Sequence, residues 1–147
     1  MSFRFRFETV LNVKSHREEE KRHQLAAKER RLAQKAQQLK GIEDAKEEGF
    51  TSFLQQCTGT LDLEYLTYSQ FYLDYLRQRE KECKVEMESA RQEVNRARSE
   101  LVEAQKERKV MEQLKEKEHE RYKVETLAKE QKFLDEIGIS AHRRKPR

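Results

Sequence analysis

The sequence predicts an all-α protein: a long antiparallel two-helix coiled-coil hairpin whose second helix is the longer and overhangs the first. Three observations predict it. Leu76, Cys83, Ala90, Ala97, Ala104 and Met111 recur every seventh residue, and Met87, Val94 and Leu101 form an interleaved column, with charged or polar residues between them. The chain of 147 residues is 41% charged and 35% hydrophobic with a single Pro, too little apolar residue for a thick core but enough for a narrow helical seam. Turn chemistry is concentrated at one place, near Gly59.

The opening Phe3-Arg4-Phe5-Arg6-Phe7 alternates like a strand, yet Phe3, Phe7, Val10, Leu11 and Lys14 also keep helical spacing and no second strand exists for pairing. A first helix over about 5–57 is therefore expected, rich in Ala, Leu, Glu, Lys and Gln. Its apolar column is Leu11, Leu25, Leu32, Leu39 and Phe53, interrupted by Glu18 and Lys46, and its companion column is Arg22, Glu29, Ala36, Glu43 and Phe50. A turn follows at about 58–61, with Gly59 as a left-handed helix stop and Thr60 or Asp62 as the next cap. The second helix is expected over about 62–137, ended by Gly138 in a Schellman-type stop, and a basic tail occupies 138–147. The whole reads as one elongated coiled-coil domain.

Facing residues of an antiparallel pair have numbers with a constant sum. Leu25 with Val94, Leu32 with Met87 and Phe53 with Leu66 each give 119, which centres the turn at Gly59 and Thr60. The same register lays Arg22 over Ala97, Glu29 over Ala90 and Glu43 over Leu76, so charged heads must reach past small residues to water. It leaves residues 115–137 uncovered, a projection of about 35 Å, with Val124, Leu127, Leu134 and Ile137 as a stripe lacking an intramolecular partner. A parallel dimer of long helices is the alternative assembly, at the expense of the turn and of this pairing.

Composition excludes several functions. Basic and acidic residues number 32 and 28, so the net charge of +4 describes a mixed, only locally basic surface and by itself says little about nucleic acid. Two isolated cysteines, Cys57 and Cys83, make neither a disulfide framework nor a metal site and indicate a reducing, cytoplasmic compartment. No apolar run is long enough to span a membrane. His16, Glu20 and His23 share a helix face but read as solvated polar residues, and no nucleophile triad or phosphate loop is present. Neither an enzyme, a metal site nor a cofactor is expected.

Two regions ask for partners. Near the turn, Tyr68, Phe71 and Tyr75 fall on outward heptad positions, with Tyr65 and Tyr72 beside the seam and Phe50 across the hairpin. At the other end, the uncovered stripe runs into His142-Arg143-Arg144-Lys145-Pro146-Arg147. The residues alone leave open an acidic protein surface, nucleic acid or anionic lipid as partner of that basic end.

The opening FRFRFETVLNVK, the segment YLTYSQFYLDYL and the late block KERKVMEQLKEKEHERYKVETLAKEQKFLDEIG resemble the FliJ family, coiled-coil components of the bacterial flagellar type III export apparatus, over nearly the whole length. The resemblance implies a central stalk and adaptor that binds the export ATPase hexamer, the export-gate membrane protein and export chaperones. It implies no nucleic-acid binding and no direct membrane insertion, and a cytoplasmic location at the inner-membrane export apparatus. On that basis Phe50, Tyr68, Phe71 and Tyr75 are candidates for gate contact. Val124, Leu127, Leu134, Arg143 and Arg144 are candidates for the ATPase. The equivalent stalk of a virulence secretion system is the second implication.

Overall fold

In a computed structural model, which describes residues 3–143, the chain forms two long helices packed against each other, α1 (Glu8–Cys57) and α2 (Leu63–Arg143), and no strand occurs among the described residues. The all-α helical hairpin expected from the heptads is therefore the fold. Packing divides the chain into two compact units, Met1–Glu19 with Glu103–Arg147, and Glu20–Val102.

In the unit Glu20–Val102, α2 presents Ser69, Leu73, Leu76, Cys83, Ala90 and Val94, all buried, with Val94 the most enclosed at 1% exposure. Small side chains at Cys83 and Ala90 bring the helices close, as the sequence pattern required. Leu25, Leu32, Leu39 and Phe53 of α1 face them, buried or half-buried. The companion column is not the expected one. Arg22, Glu29, Ala36, Glu43 and Phe50 are exposed, and the seam is completed by Lys21, Lys28, Lys35, Ile42 and Gly49, one position earlier on the helix. The physical reason is what each column would lay on α2: this one brings lysine methylenes and Ile42, whereas the expected one would press the carboxylates of Glu29 and Glu43 against it. An ion-pair ladder runs beside this seam. Lys21 reaches Glu100, Lys28 reaches Glu93 and Lys35 reaches Glu86, each at 2.6 Å. Residue numbers in every rung add to 121.

A lysine in the seam lays its methylenes on the apolar surface and carries its ammonium to a flanking carboxylate. Gly49 lets α2 approach: a Cβ there would stand 3.3 Å from Leu73 Cδ2. On the other flank Arg98 donates to Glu29 at 3.0 Å, and Glu80 accepts from both Lys46 and Lys84.

Between the helices, Thr58 N–H and Oγ1 both donate to Gln55 O, and Asp62 Oδ1 accepts from the N–H groups of Glu64 and Tyr65. Asp62, not Thr60, is the cap of α2. No described residue has a positive φ, so neither Gly59 nor Gly138 takes the left-handed conformation expected of it.

The unit Met1–Glu19 with Glu103–Arg147 holds three further corrections. Residues 3–5 are neither strand nor helix; a turn at Arg6 and Phe7 leads into α1, three residues later than expected. The phenylalanines are the cause, because Phe5 buries itself, packs edge-on against Phe7, and Phe3 stacks on His119 and Tyr122. α2 is consequently covered as far as Tyr122 and not only to Leu114. Finally, α2 does not stop at 137 but continues through Gly138 to Arg143. Ser140 Oγ donates back to Ile137 O at 2.9 Å, and Arg143 places positive charge in the last described turn, where the helix dipole favours it.

The seam of this unit contains a charge. Glu18, 5% exposed, occupies the apolar column between helices and pairs with Arg108, which also pairs with Glu112. Lys14 continues the ladder to Glu107 at 2.7 Å, and Lys115 meets Glu8 on the other flank.

Candidate interaction surfaces

Among the described residues, exposed apolar side chains cluster on two stretches of α2. The first is built on the start of α2. Asp62 fixes the helix origin, and at 100° per residue Tyr68, Phe71, Tyr72 and Tyr75 then fall within an arc of about 100°. All four are exposed, Phe71 to 70%. The seam explains why: Ser69, Leu73 and Leu76 take the inward positions, which leaves these aromatics on the other faces of the helix.

Phe50, also exposed, does not join them. It borders a groove with Glu43, Lys46, Glu47, Leu73, Arg77 and Glu80, whereas Tyr75 borders another with Gly41, Ile42, Ala45, Leu76 and Arg79. The four residues expected to act together at the tip thus lie on two sides of the seam. Exposed Leu54, Leu61 and Leu63 add apolar surface around the turn that the heptad reading passed over, since none belongs to a seam column.

The electrostatics of this region centre on Glu80. Hydrogen bonds from Lys46 and then Lys84 hold its carboxyl at about 2, well below the ordinary carboxylate value. Glu86 and Glu93 are lowered too, each chiefly by the lysine rung that donates to it.

The second surface is the C-terminal part of α2. Val124, Leu127 and Leu134 are exposed and share an arc of about 80°. Ile137 and Phe133, both exposed, widen the apolar arc to about half the helix circumference. Phe133 stands apart from the stripe read in the sequence, about 100° around the helix from Leu134. Arg143, exposed, ends the helix, and Arg144 lies outside the described residues. Among the described residues no cluster of His, Cys, Asp or Glu could hold a metal ion. His16, Glu20 and His23 are all exposed. No helix among them is long and apolar enough to cross a membrane.

The fold defines the class: an all-α helical hairpin with exposed apolar surface both at its turn and along the C-terminal part of its second helix. The chain belongs to the FliJ family, whose model, described as flagellar FliJ protein, matches residues 3–147, and so to the proteins of type III export. No curated protein matches it. A solved structure, of a YscO homolog, CT670, from Chlamydia trachomatis, is 20% identical with a TM-score of 0.46, covering 97% of this chain and 96% of the other.

Proposed function

We propose that this protein is a non-enzymatic stalk and adaptor of flagellar type III protein export. In this reading the outward aromatics Tyr68, Phe71 and Tyr75, with Phe50 on the other side, contact the export-gate membrane protein. The C-terminal part of α2, through Val124, Leu127, Leu134, Arg143 and Arg144, engages the export ATPase ring. Export chaperones bind the same protein, which works in the cytoplasm against the inner-membrane apparatus. Family membership supports the setting, and the observation that carries the assignment of surfaces is the placement of exposed apolar residues where α1 offers no cover. Exposed aromatic and aliphatic patches of this kind mark protein-binding sites.

The test is ATP hydrolysis by the cognate export ATPase, with and without the protein, alongside sizing of the ATPase oligomer. Stimulated turnover and a shift toward hexamer are expected. Leu127→Asp with Leu134→Asp should remove both while leaving helicity intact, and Phe71→Ala with Tyr75→Ala should leave ATPase stimulation unchanged while weakening gate binding at least tenfold. Stimulation that survives the leucine changes would overturn the assignment of the C-terminal surface.

A further inference from the structure

Within the unit Glu20–Val102, the apolar column Leu25, Leu32, Leu39 and Phe53 is flanked on α1 by two candidate companion columns. One contains Lys21, Lys28, Lys35, Ile42 and Gly49 and forms the seam. The other contains Arg22, Glu29, Ala36, Glu43 and Phe50 and is exposed. Each offers some apolar surface: the first brings Ile42 to the seam, and the second would bring Ala36 and Phe50, with Arg22, Glu29 and Glu43 between them. The α2 side is the same for both, since Leu73, Leu76, Cys83, Val94 and their neighbours repeat every seven residues.

The ladder would not oppose an exchange. In antiparallel coiled coils the residues flanking the seam on one side, the g positions, face each other across it. Here Arg31 and Glu93 make such a contact at 3.5 Å, and their numbers add to 124. If α1 advanced three residues, the sum for flanking pairs would fall to 121, which is the sum of the lysine rungs. Lys21, Lys28 and Lys35 would then stand beside the seam, opposite the same Glu100, Glu93 and Glu86 they already hold.

We infer that this hairpin has two registers, the one described and a second in which α1 slides by three residues and rolls by about 50°, keeping its leucine column and its lysine–glutamate rungs. The slide is about 4.5 Å at the helical rise, within the range of helix ratchets that packed proteins use as switches. Its ligand-sized consequence is at the tip: Phe50 passes from solvent into the seam opposite Ser69, and Ile42 passes out. The turn accommodates the change because residues 58–62 contain no left-handed residue and no proline to pin it.

The experiment uses the full chain with Cys57→Ser and Cys83→Ser. The pair Gly49→Cys with Leu73→Cys reports the register described, where these positions touch. The pair Phe50→Cys with Ser69→Cys reports the other. Each is equilibrated in a glutathione redox buffer and its intramolecular effective concentration measured, with circular dichroism confirming helicity. Both pairs are expected to close, with effective concentrations within about a hundredfold of one another. A Phe50/Ser69 pair that closes no better than it does in urea would overturn the inference. A fluorophenylalanine at position 50 of the otherwise unaltered chain gives an independent reading: two fluorine resonances, one shielded from solvent, are expected, and a single exposed resonance from 5 to 45 °C would equally overturn it. Neither readout involves the ATPase or the gate, so its result stands apart from the proposed export role.

Discussion

At the scale of residues, the seam distinguishes side chains that sequence periodicity treats alike. Val94 is the most enclosed apolar residue, and Val94→Ala should lower stability by about 2 kcal/mol in urea unfolding, through lost burial and the space left behind. Two helical glycines should respond in opposite ways. A Cβ at Gly41 meets nothing within 4 Å, so Gly41→Ala should raise stability by about 1 kcal/mol through helix propensity. At Gly49 the same methyl would press on Leu73 Cδ2, and Gly49→Ala should gain nothing or lose. Glu18, 5% exposed, forms an ion pair with Arg108 inside the seam. Glu18→Ala should lower the melting temperature by several degrees, while Glu18→Leu with Arg108→Leu together should restore or raise it, because two fitted apolar groups replace a pair that is costly to desolvate.

At the scale of elements, the ladder makes helix pairing depend on charge. The folded carboxyl of Glu80 titrates at about 2, below its unfolded value near 4.5. A depressed folded value contributes stability that is fully present above about 4.5 and is lost as pH falls toward 2. Glu86, Glu93, Glu100 and Glu107 are lowered in the same direction by their lysines. Unfolding midpoints in urea should therefore fall on acidification from pH 5 to pH 3, more steeply than in Glu80→Gln, and 1 M salt should shrink that difference by screening the exposed rungs.

Lysines at seam positions also set the limit of what the sequence disclosed. Leu11, Leu25, Leu32 and Leu39, and the α2 columns through Val94, were legible because apolar residues every seven positions have one structural meaning. The α1 companion column was not, because a lysine seam and a glutamate-arginine seam look equally polar in the sequence and the same lysine–glutamate rungs suit both. The helix end at Gly138 was misread for a related reason: glycine permits a left-handed stop but does not impose one when the residues beyond it can continue the helix. Phe5 was read as a helix start, whereas it is buried ahead of α1, next to a Phe3 that meets His119 and Tyr122 more than a hundred residues away in sequence.

For the molecule as a whole, the exposed aromatics at the start of α2 were legible because they fall outside the heptad columns, and the exposed aliphatics of its C-terminal part because the first helix was expected to end short of them. What remained hidden was that Phe50 and Tyr75 lie on different sides of the seam. Binding partners should distinguish them: in pull-down with the export gate, Phe50→Ala and Tyr75→Ala should have separable and roughly additive effects, as independent sites do.

The identical rungs carry one more implication, about length. Lys21–Glu100, Lys28–Glu93 and Lys35–Glu86 are chemically equivalent and one heptad apart, so the hairpin is modular in units of seven residues per helix. Removing residues 29–35 together with 87–93 would join Lys28 to Glu86 as the next rung and return every leucine to its column. Removing either heptad alone would break the match. A paired deletion that still folds, shorter by about 10 Å, would make this protein an adjustable spacer whose reach can be altered without redesigning its surfaces.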